Sequence, residues 1–344
     1  MTLQHPLACG RAAALITACR CAGGLLALCA AFAAGPAQAQ APTAPKRVYV
    51  SSEKDHRIYV FDAQGQAQGA IETCKRPRHM MFGPGAHTLY VACGDSNMLG
   101  IVDAARRSQT GTLALGESPE IFGLSPDGRT AYVSIEDENV MAAYDLGSRR
   151  KLFEVKTGAE PEGVLVTPDG KQAYVASEVA NAVHLVDLAQ RRIVKTVRVG
   201  KRPRRMLLAA QGKELWVSNE LDASVSILNT ADLAVLHTIT FSLPGLRASD
   251  ITPVGMVASP DGATVWVALG RANHVAAVDR ASRRVRQTVL VGRRAWGLAL
   301  DAQGKTLYVA NGQSDDMTLV DTAAGKALRT VAVGRVPHTV LVAP

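Results

Sequence analysis

The sequence of 344 residues is 47% hydrophobic and 20% charged, and its formal net charge is +8 at pH 7. These values are those of an ordinary globular protein, and the moderate positive charge does not by itself indicate binding to nucleic acid. Aromatic residues make up only 5% of the chain, so we expect a core built mainly from Val, Leu, Ile and Ala.

Residues 1–39 have the features of a secretory signal peptide. Arg11 and Arg20 precede or flank an apolar run over 21–34, which is shorter than the ~20 residues that a membrane span needs. Ala37-Gln38-Ala39 then supplies the small residues that a cleavage site requires. We predict cleavage after Ala39 and a periplasmic or secreted protein, with a retained membrane anchor as the alternative.

Cleavage would leave a short linker over 40–46 and one repeat domain over 47–344, with no further stretch able to span a membrane. The net charge would fall from +8 to +6, because two arginines leave with the peptide. Of six cysteines, only Cys74 and Cys93 would remain. A disulfide is the default for such a pair in an oxidising compartment. The alternative is that the two residues lie too far apart to pair.

A repeat of about 42 residues runs through this domain. An aromatic-Val pair recurs at spacings of 41, 42, 42, 42, 50 and 42 residues. An acidic or amide residue ends the apolar run that follows each pair, and a proline precedes most units. The pairs begin at Tyr49, Tyr90, Tyr132, Tyr174, Trp216, Trp266 and Tyr308.

The third unit shows how each repeat is divided. Short apolar runs over 121–124, 131–134, 140–145 and 151–155 are separated by turn residues, including Ser125-Pro126-Asp127-Gly128. Runs of this length bounded by Gly, Pro and Asp indicate strands. Four strands in a period near 42 predict the blade of a β-propeller.

The two ends of the domain predict how the ring closes. The first unit begins at Val48 with what is the second strand elsewhere, and Thr339-Val340-Leu341-Val342 matches a first strand. The C-terminal strand should therefore complete blade one and leave no unpaired edge. The predicted fold is all-β: a seven-bladed β-propeller of four-stranded blades.

The sequence motif of the repeat resembles that of the YVTN β-propeller family. Ser125-Pro126-Asp127-Gly128, Leu319-Val320-Asp321 and Thr330-Val331-Ala332-Val333-Gly334 carry the resemblance, which extends over residues 46–344. It implies the same fold and little about activity, because this scaffold hosts many functions.

Two segments resemble a narrower group, the exported YVTN propellers associated with PQQ-dependent alcohol catabolism. These are 73–78 (Thr-Cys-Lys-Arg-Pro-Arg) and 89–96 (Leu-Tyr-Val-Ala-Cys-Gly-Asp-Ser). The resemblance implies a periplasmic accessory protein. Its partner would be a quinoprotein dehydrogenase or a transport component. PQQ or a divalent cation are the cofactor candidates, and neither is predicted firmly.

Strand order places two sets of loops around one end of the central channel, here called the upper mouth. They precede the first strand and follow the second strand of each blade. We predict a ligand-binding mouth that is acidic in blades three and four, basic at its flanks and aromatic opposite. The alternative is a set of inter-blade ion pairs with nothing bound. The candidate residues are Arg78, His79, Glu120, Glu136, Glu162, Glu178, Arg204, Trp296 and His338.

Other features leave alternatives open. The eight-residue insertion within 241–252 predicts a lid, a docking loop or a tolerated surface insertion.

His79, His338 and Glu53 would suit a two-histidine, one-carboxylate metal set, but no compact motif supports it and no metal site is predicted. Four arginine pairs on the opposite, lower face indicate either a basic rim or solvated turns, and nucleic acid is not favoured. The pairs begin at Arg106, Arg149, Arg191 and Arg283.

The sequence thus predicts a non-enzymatic periplasmic propeller that binds a small ligand or a partner protein at the upper mouth. Gly-x-Ser-x-Gly, His-Glu-x-x-His and Gly-x-x-x-x-Gly-Lys motifs are absent from the chain. One alternative is a propeller hydrolase, such as a lactonase, that would use Glu120, Glu162 and His338. Another is a structural scaffold for protein interactions.

Overall fold

The computed structural model describes residues 46–343, so the predicted signal peptide lies outside the described residues. These residues form 28 strands in seven four-stranded antiparallel sheets, together with five short 3₁₀ segments. The described chain contains no helix that is long and apolar enough to cross a membrane. The predicted seven-bladed propeller is confirmed.

The strands follow one another with the regularity that the repeat predicts. In chain order they are β1 Arg47–Ser52, β2 Arg57–Asp62, β3 Ala67–Glu72, β4 Pro77–Phe82, β5 Thr88–Cys93, β6 Met98–Asp103, β7 Ser108–Ala114, β8 Pro119–Leu124, β9 Thr130–Ile135, β10 Val140–Asp145, β11 Arg150–Lys156, β12 Pro161–Val166, β13 Gln172–Ser177, β14 Ala182–Asp187, β15 Arg192–Arg198, β16 Pro203–Ala209, β17 Glu214–Asn219, β18 Ser224–Asn229, β19 Val235–Thr240, β20 Met256–Ala258, β21 Thr264–Ala268, β22 His274–Asp279, β23 Arg284–Leu290, β24 Ala295–Leu300, β25 Thr306–Asn311, β26 Asp316–Asp321, β27 Lys326–Ala332 and β28 Pro337–Val342. The 3₁₀ segments are Pro84–Ala86, Gly94–Ser96, Ala210–Gly212, Glu220–Asp222 and Ala248–Asp250.

Blade one is built from both ends of the domain. Its strand order is β28-β1-β2-β3, whereas the other six blades each use four consecutive strands. The register of β1 and β28 places Val48 opposite Val342 and Val50 opposite Val340. The predicted closure by the C-terminal strand is therefore present, and it removes the open edge that β1 would otherwise expose.

The hydrophobic core consists of seven clusters, one between each pair of neighbouring blades. Successive side chains of a strand point to opposite faces of the sheet. On β1, Val48 and Val50 therefore pack with Tyr308 of blade seven, while Tyr49 packs with Val91 of blade two. Each aromatic-Val pair thus packs one side chain against each of the two neighbouring blades, which explains why the pair recurs in every repeat.

The acidic or amide residue that ends each apolar run has a structural task on the lower face. The Asp103 carboxylate accepts the backbone N–H groups of Ala105 and Arg106, at 2.9 and 2.8 Å. Such a side-chain-to-backbone bond favours a tight turn. The following residue, Arg107, then adopts a left-handed conformation with φ 55°.

The left-handed backbone conformation directs the arginine side chains towards the preceding blade. Arg107 donates a hydrogen bond of 2.5 Å to the Gln68 carbonyl, and the Arg191 guanidinium lies 5.0 Å from the centre of the Phe153 ring. Arg283 donates to the Leu236 carbonyl over 3.4 Å. One arginine of each of these pairs thus contacts the neighbouring blade, so the pairs do not form a uniformly free basic rim.

The insertion within 241–252, which connects β19 of blade five to β20 of blade six, is anchored in the core. Phe241 and Ile251, near its two ends, are buried in the cluster between blades five and six. Leu246 at its tip is exposed, and Arg247 and Asp250 form an exposed ion pair of 3.0 Å. The segment is a fixed part of the upper face.

Ring closure generates a testable prediction about stability. A mature chain that ends after Arg335 lacks β28, so β1 loses its partner and the cluster between blades one and seven is opened. We expect this variant to lose the cooperative thermal transition in circular dichroism, whereas a control chain that ends after Val342 keeps it. Equal melting of the two chains would show that β28 does not close the ring.

Candidate functional site

The first strand of each blade lines the channel, and in most blades it starts with an irregularity. In β4, β8, β12, β16 and β24, the pairing with the second strand shifts between the first and the fourth residue. A bulge of this kind redirects the side chains that follow the repeat proline. Arg78, Arg204 and Trp296 reach the wall of the upper mouth, whereas Glu120 and Glu162 lie buried behind arginines.

Arg204 lies at the centre of a buried charge cluster, here called the arginine–glutamate network. Its guanidinium is 3.2 Å from Glu162, 2.6 Å from Glu178 and 2.7 Å from Glu220. All four side chains are less than one-tenth exposed. The three glutamates belong to blades four and five, so the network joins the two blades by buried ion pairs.

Arg202 and Arg205 extend this network upward and downward. Arg202, at the rim, lies 2.6 Å from Glu178 and 3.3 Å from Glu220. Arg205 lies 2.7 Å from Glu162 and 3.3 Å from Nε2 of His338 across the channel. The contact between Arg205 and His338 joins blade five to blade one beneath the mouth.

The network shifts the pKa values of two of its carboxyl groups in opposite directions. Burial disfavours ionisation of Glu162, but the guanidinium groups of Arg204 and Arg205 outweigh it and lower its pKa to about 2. Burial and the neighbouring Glu162 and Glu220 carboxylates raise the pKa of Glu178 to about 7, against the effect of Arg204 and Arg202. The pKa values of neighbouring carboxyl groups that share guanidinium groups are expected to differ in this way.

A second ion cluster joins blades one to three. Arg78 pairs with the fully buried Glu120, and its Nε lies 3.5 Å from Glu53. Arg76 lies 3.6 Å from both carboxylates. Sequence reasoning did not select Arg76, although it stands one residue before the repeat proline in the same position as Arg202 and Arg294.

The loop that carries Arg76 is held by a disulfide. Cys74 and Cys93 are bonded, with 5.7 Å between their Cα atoms. The Lys75 N–H donates to Oγ of Ser96 over 2.8 Å, and the Gly94 N–H donates to the Arg76 carbonyl over 3.1 Å. A crosslink over this short span contributes about 3 kcal/mol in the chain-entropy model. It ties the loop of Arg76 to blade two.

These side chains surround a cavity of about 240 Å³ at the upper mouth, here called the mouth cavity. Five arginines line it, whereas only two carboxylates do so. Of the predicted acidic sector in blades three and four, only Glu136 lines the cavity, because Glu120, Glu162 and Glu178 are buried behind arginines. The lining residues are Glu53, Arg76, Arg78, Glu136, Arg202, Arg204, Arg294, Trp296, Gly312, Val336, Pro337 and His338.

Arg294 differs from the other arginines of the cavity. Among residues 46–343, no carboxylate lies within 4.0 Å of its guanidinium, which instead stacks 4.5 Å from the centre of the Trp296 ring. Trp296 is buried, and its indole N–H has no hydrogen-bond partner in the described chain. Both groups are donors that remain available on the wall of the cavity.

The remaining candidates occupy different positions. Glu136 is half-buried on the wall and accepts a hydrogen bond of 3.3 Å from Ser118. His79 does not reach the mouth cavity. It contacts Phe122 edge to face and borders a lower cavity of about 170 Å³, and burial lowers its pKa to about 3. Burial also lowers the pKa of His338 well below its usual value.

The histidines are not gathered with carboxylates into a metal-binding set. No group of three or more His, Cys, Asp or Glu side chains between residues 46 and 343 is arranged to hold a metal ion. Nε2 of His338 is 3.9 Å from Glu53, while His79 faces Phe122. The two-histidine set considered from the sequence is therefore not assembled.

Fold and site together define a seven-bladed repeat propeller with an arginine-lined mouth. The chain belongs to the YNCE-like beta-propeller family, whose model matches residues 109–303. No curated protein matches the chain.

Solved structures share the fold at low sequence identity. Hydrazine synthase of Kuenenia stuttgartiensis is 22% identical, with a TM-score of 0.71 over 80% of this chain and 92% of that chain. A protein of unknown function from Desulfotomaculum acetoxidans is 16% identical, with a TM-score of 0.72 over 87% and 98%. A Bacteroides fragilis protein provisionally named a 6-phosphogluconolactonase is 14% identical, with a TM-score of 0.72 over 87% and 98%. At these identities the similarity extends to the fold alone.

The arginine–glutamate network predicts that loss of a buried charge lowers the free energy of unfolding more than loss of an exposed charge. Glu162→Gln removes the carboxylate that Arg204 and Arg205 share, and we expect it to cost about 3–5 kcal/mol of unfolding free energy. The control Glu154→Gln breaks an exposed 2.8 Å pair with Lys151, which is expected to cost about 0–1 kcal/mol. Urea denaturation measures both, and equal costs would contradict a structural role for the network.

Proposed function

We propose that this protein is a non-enzymatic, periplasmic propeller that binds a small organic anion in the mouth cavity. The observation that supports this proposal is the Arg294 guanidinium, which stacks on Trp296 without a carboxylate partner among the described residues. A half-buried guanidinium without a counter-ion loses part of its hydration without compensation, and burial lowers the pKa of Arg294 accordingly. A bound carboxylate would supply the missing charge and accept its hydrogen bonds.

The donor set favours an anion over a divalent cation. Five arginines line the cavity, and the buried carboxylates Glu120, Glu162 and Glu178 are each paired with at least one guanidinium. PQQ carries three carboxylates on a planar frame, and Arg294, Arg76 and Arg202 would be the residues that bind them. The resemblance of segments 73–78 and 89–96 selects PQQ within this class and suggests a role beside a quinoprotein dehydrogenase.

A hydrolase at the same mouth has less support. The residues that a lactonase would need include Glu120 and Glu162, which are buried and committed to arginine partners. A general base must reach a substrate proton. Neither carboxylate lines the mouth cavity.

Ligand binding is tested at two neighbouring arginines. Isothermal titration with succinate, benzoate and PQQ should show binding to the mature protein. Arg294→Met should weaken it at least about tenfold, since a charge-assisted hydrogen bond contributes about 1.5–3 kcal/mol. The control Arg293→Met removes an exposed guanidinium that bonds only to the Gln313 carbonyl, at 2.9 Å, and should leave affinity unchanged.

Three results would count against the proposal. Absence of binding by all three anions would favour a docking protein without a small ligand. Equal loss of affinity in Arg293→Met and Arg294→Met would indicate a diffuse charge effect in place of a site. Detection of the protein in the cytoplasm, with residues 1–39 retained, would overturn the periplasmic location.

Anion affinity should also depend on pH through Glu178. Its pKa is raised to about 7, so the carboxyl gains a proton as the pH falls from 8 to 6. Loss of this negative charge beside Arg202 and Arg204 should strengthen benzoate binding about three- to tenfold, on the order of 1 kcal/mol. His79 and His338 stay neutral in this range, because their pKa values are lowered.

The variant Glu178→Gln is the control for this pH dependence. Its affinity for benzoate should be nearly constant between pH 6 and 8, since the amide does not titrate there. The neighbouring Glu162 and Glu220 carboxylates remain in the variant. A pH dependence that survives the substitution would assign the titration to another group.

A further inference from the structure

A shallow notch of about 330 Å³ adjoins the mouth cavity on the upper face. It lies between the loops of blades four and five and has a partly apolar wall. Its lining residues are Glu160, Glu178, Val179, Asn181, Lys201, Arg202 and Leu221.

The apolar part of the notch comes from two adjacent turns. Val179 and Leu221 are 59% and 50% exposed, although both are aliphatic. Each follows a buried glutamate in the turn after the second strand of its blade. The other five blades carry polar residues at this position, namely Lys54, Asp95, Asp137, Arg271 and Gln313. Among the seven turns that follow a second strand, exposed aliphatic side chains are therefore confined to the two that form the notch.

Arg202 connects the notch to the mouth cavity, because it lines both. Its guanidinium is held by Glu178 at 2.6 Å and Glu220 at 3.3 Å, so it is a fixed part of the wall. A ligand with its acidic group at Arg294 has a route across Arg202 to the aliphatic side chains of Val179 and Leu221.

We infer that the mouth binds an amphipathic anion, namely a carboxylate with an unbranched alkyl tail that lies in the notch. This inference rests on the anion-binding site of the proposed function and names alkyl carboxylates as a second ligand class for that site, beside PQQ. A small molecule fits better than a protein, because two aliphatic side chains are far from the roughly 800 Å² per partner of a stable protein interface. Lys201 and Glu160 at the rim are opposite charges, which suits a neutral tail.

The experiment is a chain-length series. Butyrate, hexanoate and octanoate are titrated into the mature protein at one pH and ionic strength. Affinity should rise about two- to fourfold per methylene, because a fully buried methylene contributes about fourfold. The double variant Val179→Ser/Leu221→Ser should show no gain in affinity from butyrate to octanoate.

A matched control checks that the effect is local. Leu236 is exposed on β19, away from the mouth, so Leu236→Ser should keep the full dependence on chain length. If butyrate binds and longer chains bind no tighter, or if the double variant keeps the gain, the inference is overturned while anion binding stands. If none of the three carboxylates binds, while Arg294-dependent binding of succinate, benzoate or PQQ is observed, only the inference is overturned. If no anion binds at all, both fail.

Discussion

The pairing of β28 with β1 is the contact on which the other interactions of the molecule depend. Each blade buries its side chains only against its two neighbours, so seven separate clusters replace a single central core. A ring with one interface open would expose apolar surface on two blades and leave a strand edge unpaired. Closure also brings His338 of β28 within 3.3 Å of Arg205, across the channel.

The upper mouth uses charge where the blade interfaces use hydrophobic packing. Buried ions lose their hydration, and an ion pair compensates for this loss only when its geometry is good and its remaining polar atoms are bonded. Arg204 contacts three carboxylates and Arg78 pairs with Glu120, so each of these buried guanidinium groups has a counter-ion, although several of the carboxylate oxygens lack a hydrogen-bond partner in the described chain. Arg294 instead stacks on the Trp296 ring. This difference is the reason for proposing ligand binding at this wall.

The neighbouring structures show why the fold cannot name the ligand. A hydrazine synthase and a protein provisionally named a lactonase share this architecture at 22% and 14% identity. Function on a propeller depends on which side chains the loops place at the mouth. In this chain the distinguishing side chains are those of Arg294, Trp296 and the two aliphatic turns. All of them are carried by the same four-stranded blade that repeats around the ring.

Much of the site could be placed from the repeat, because the register after each proline is constant. The candidates that line the mouth cavity are Arg78, Glu136, Arg204, Trp296 and His338. Prediction from the repeat misplaced His79, since the bulge at the start of β4 sends successive residues in different directions. It also overlooked Arg76, Arg202 and Arg294, whose left-handed backbone (φ 55–59°) has no obvious signature in a single sequence.

The number of blades, the four strands of each and the closure of the ring could all be predicted from the amino-acid sequence. These follow from periodicity, because side chains at equivalent repeat positions face equivalent neighbours. Which charges face solvent and which face one another became visible only in the folded chain. Glutamates at equivalent positions look alike in sequence, but pairing and burial depend on distances between residues far apart in the chain. Tertiary contacts therefore turned an expected acidic sector into an arginine-lined cavity.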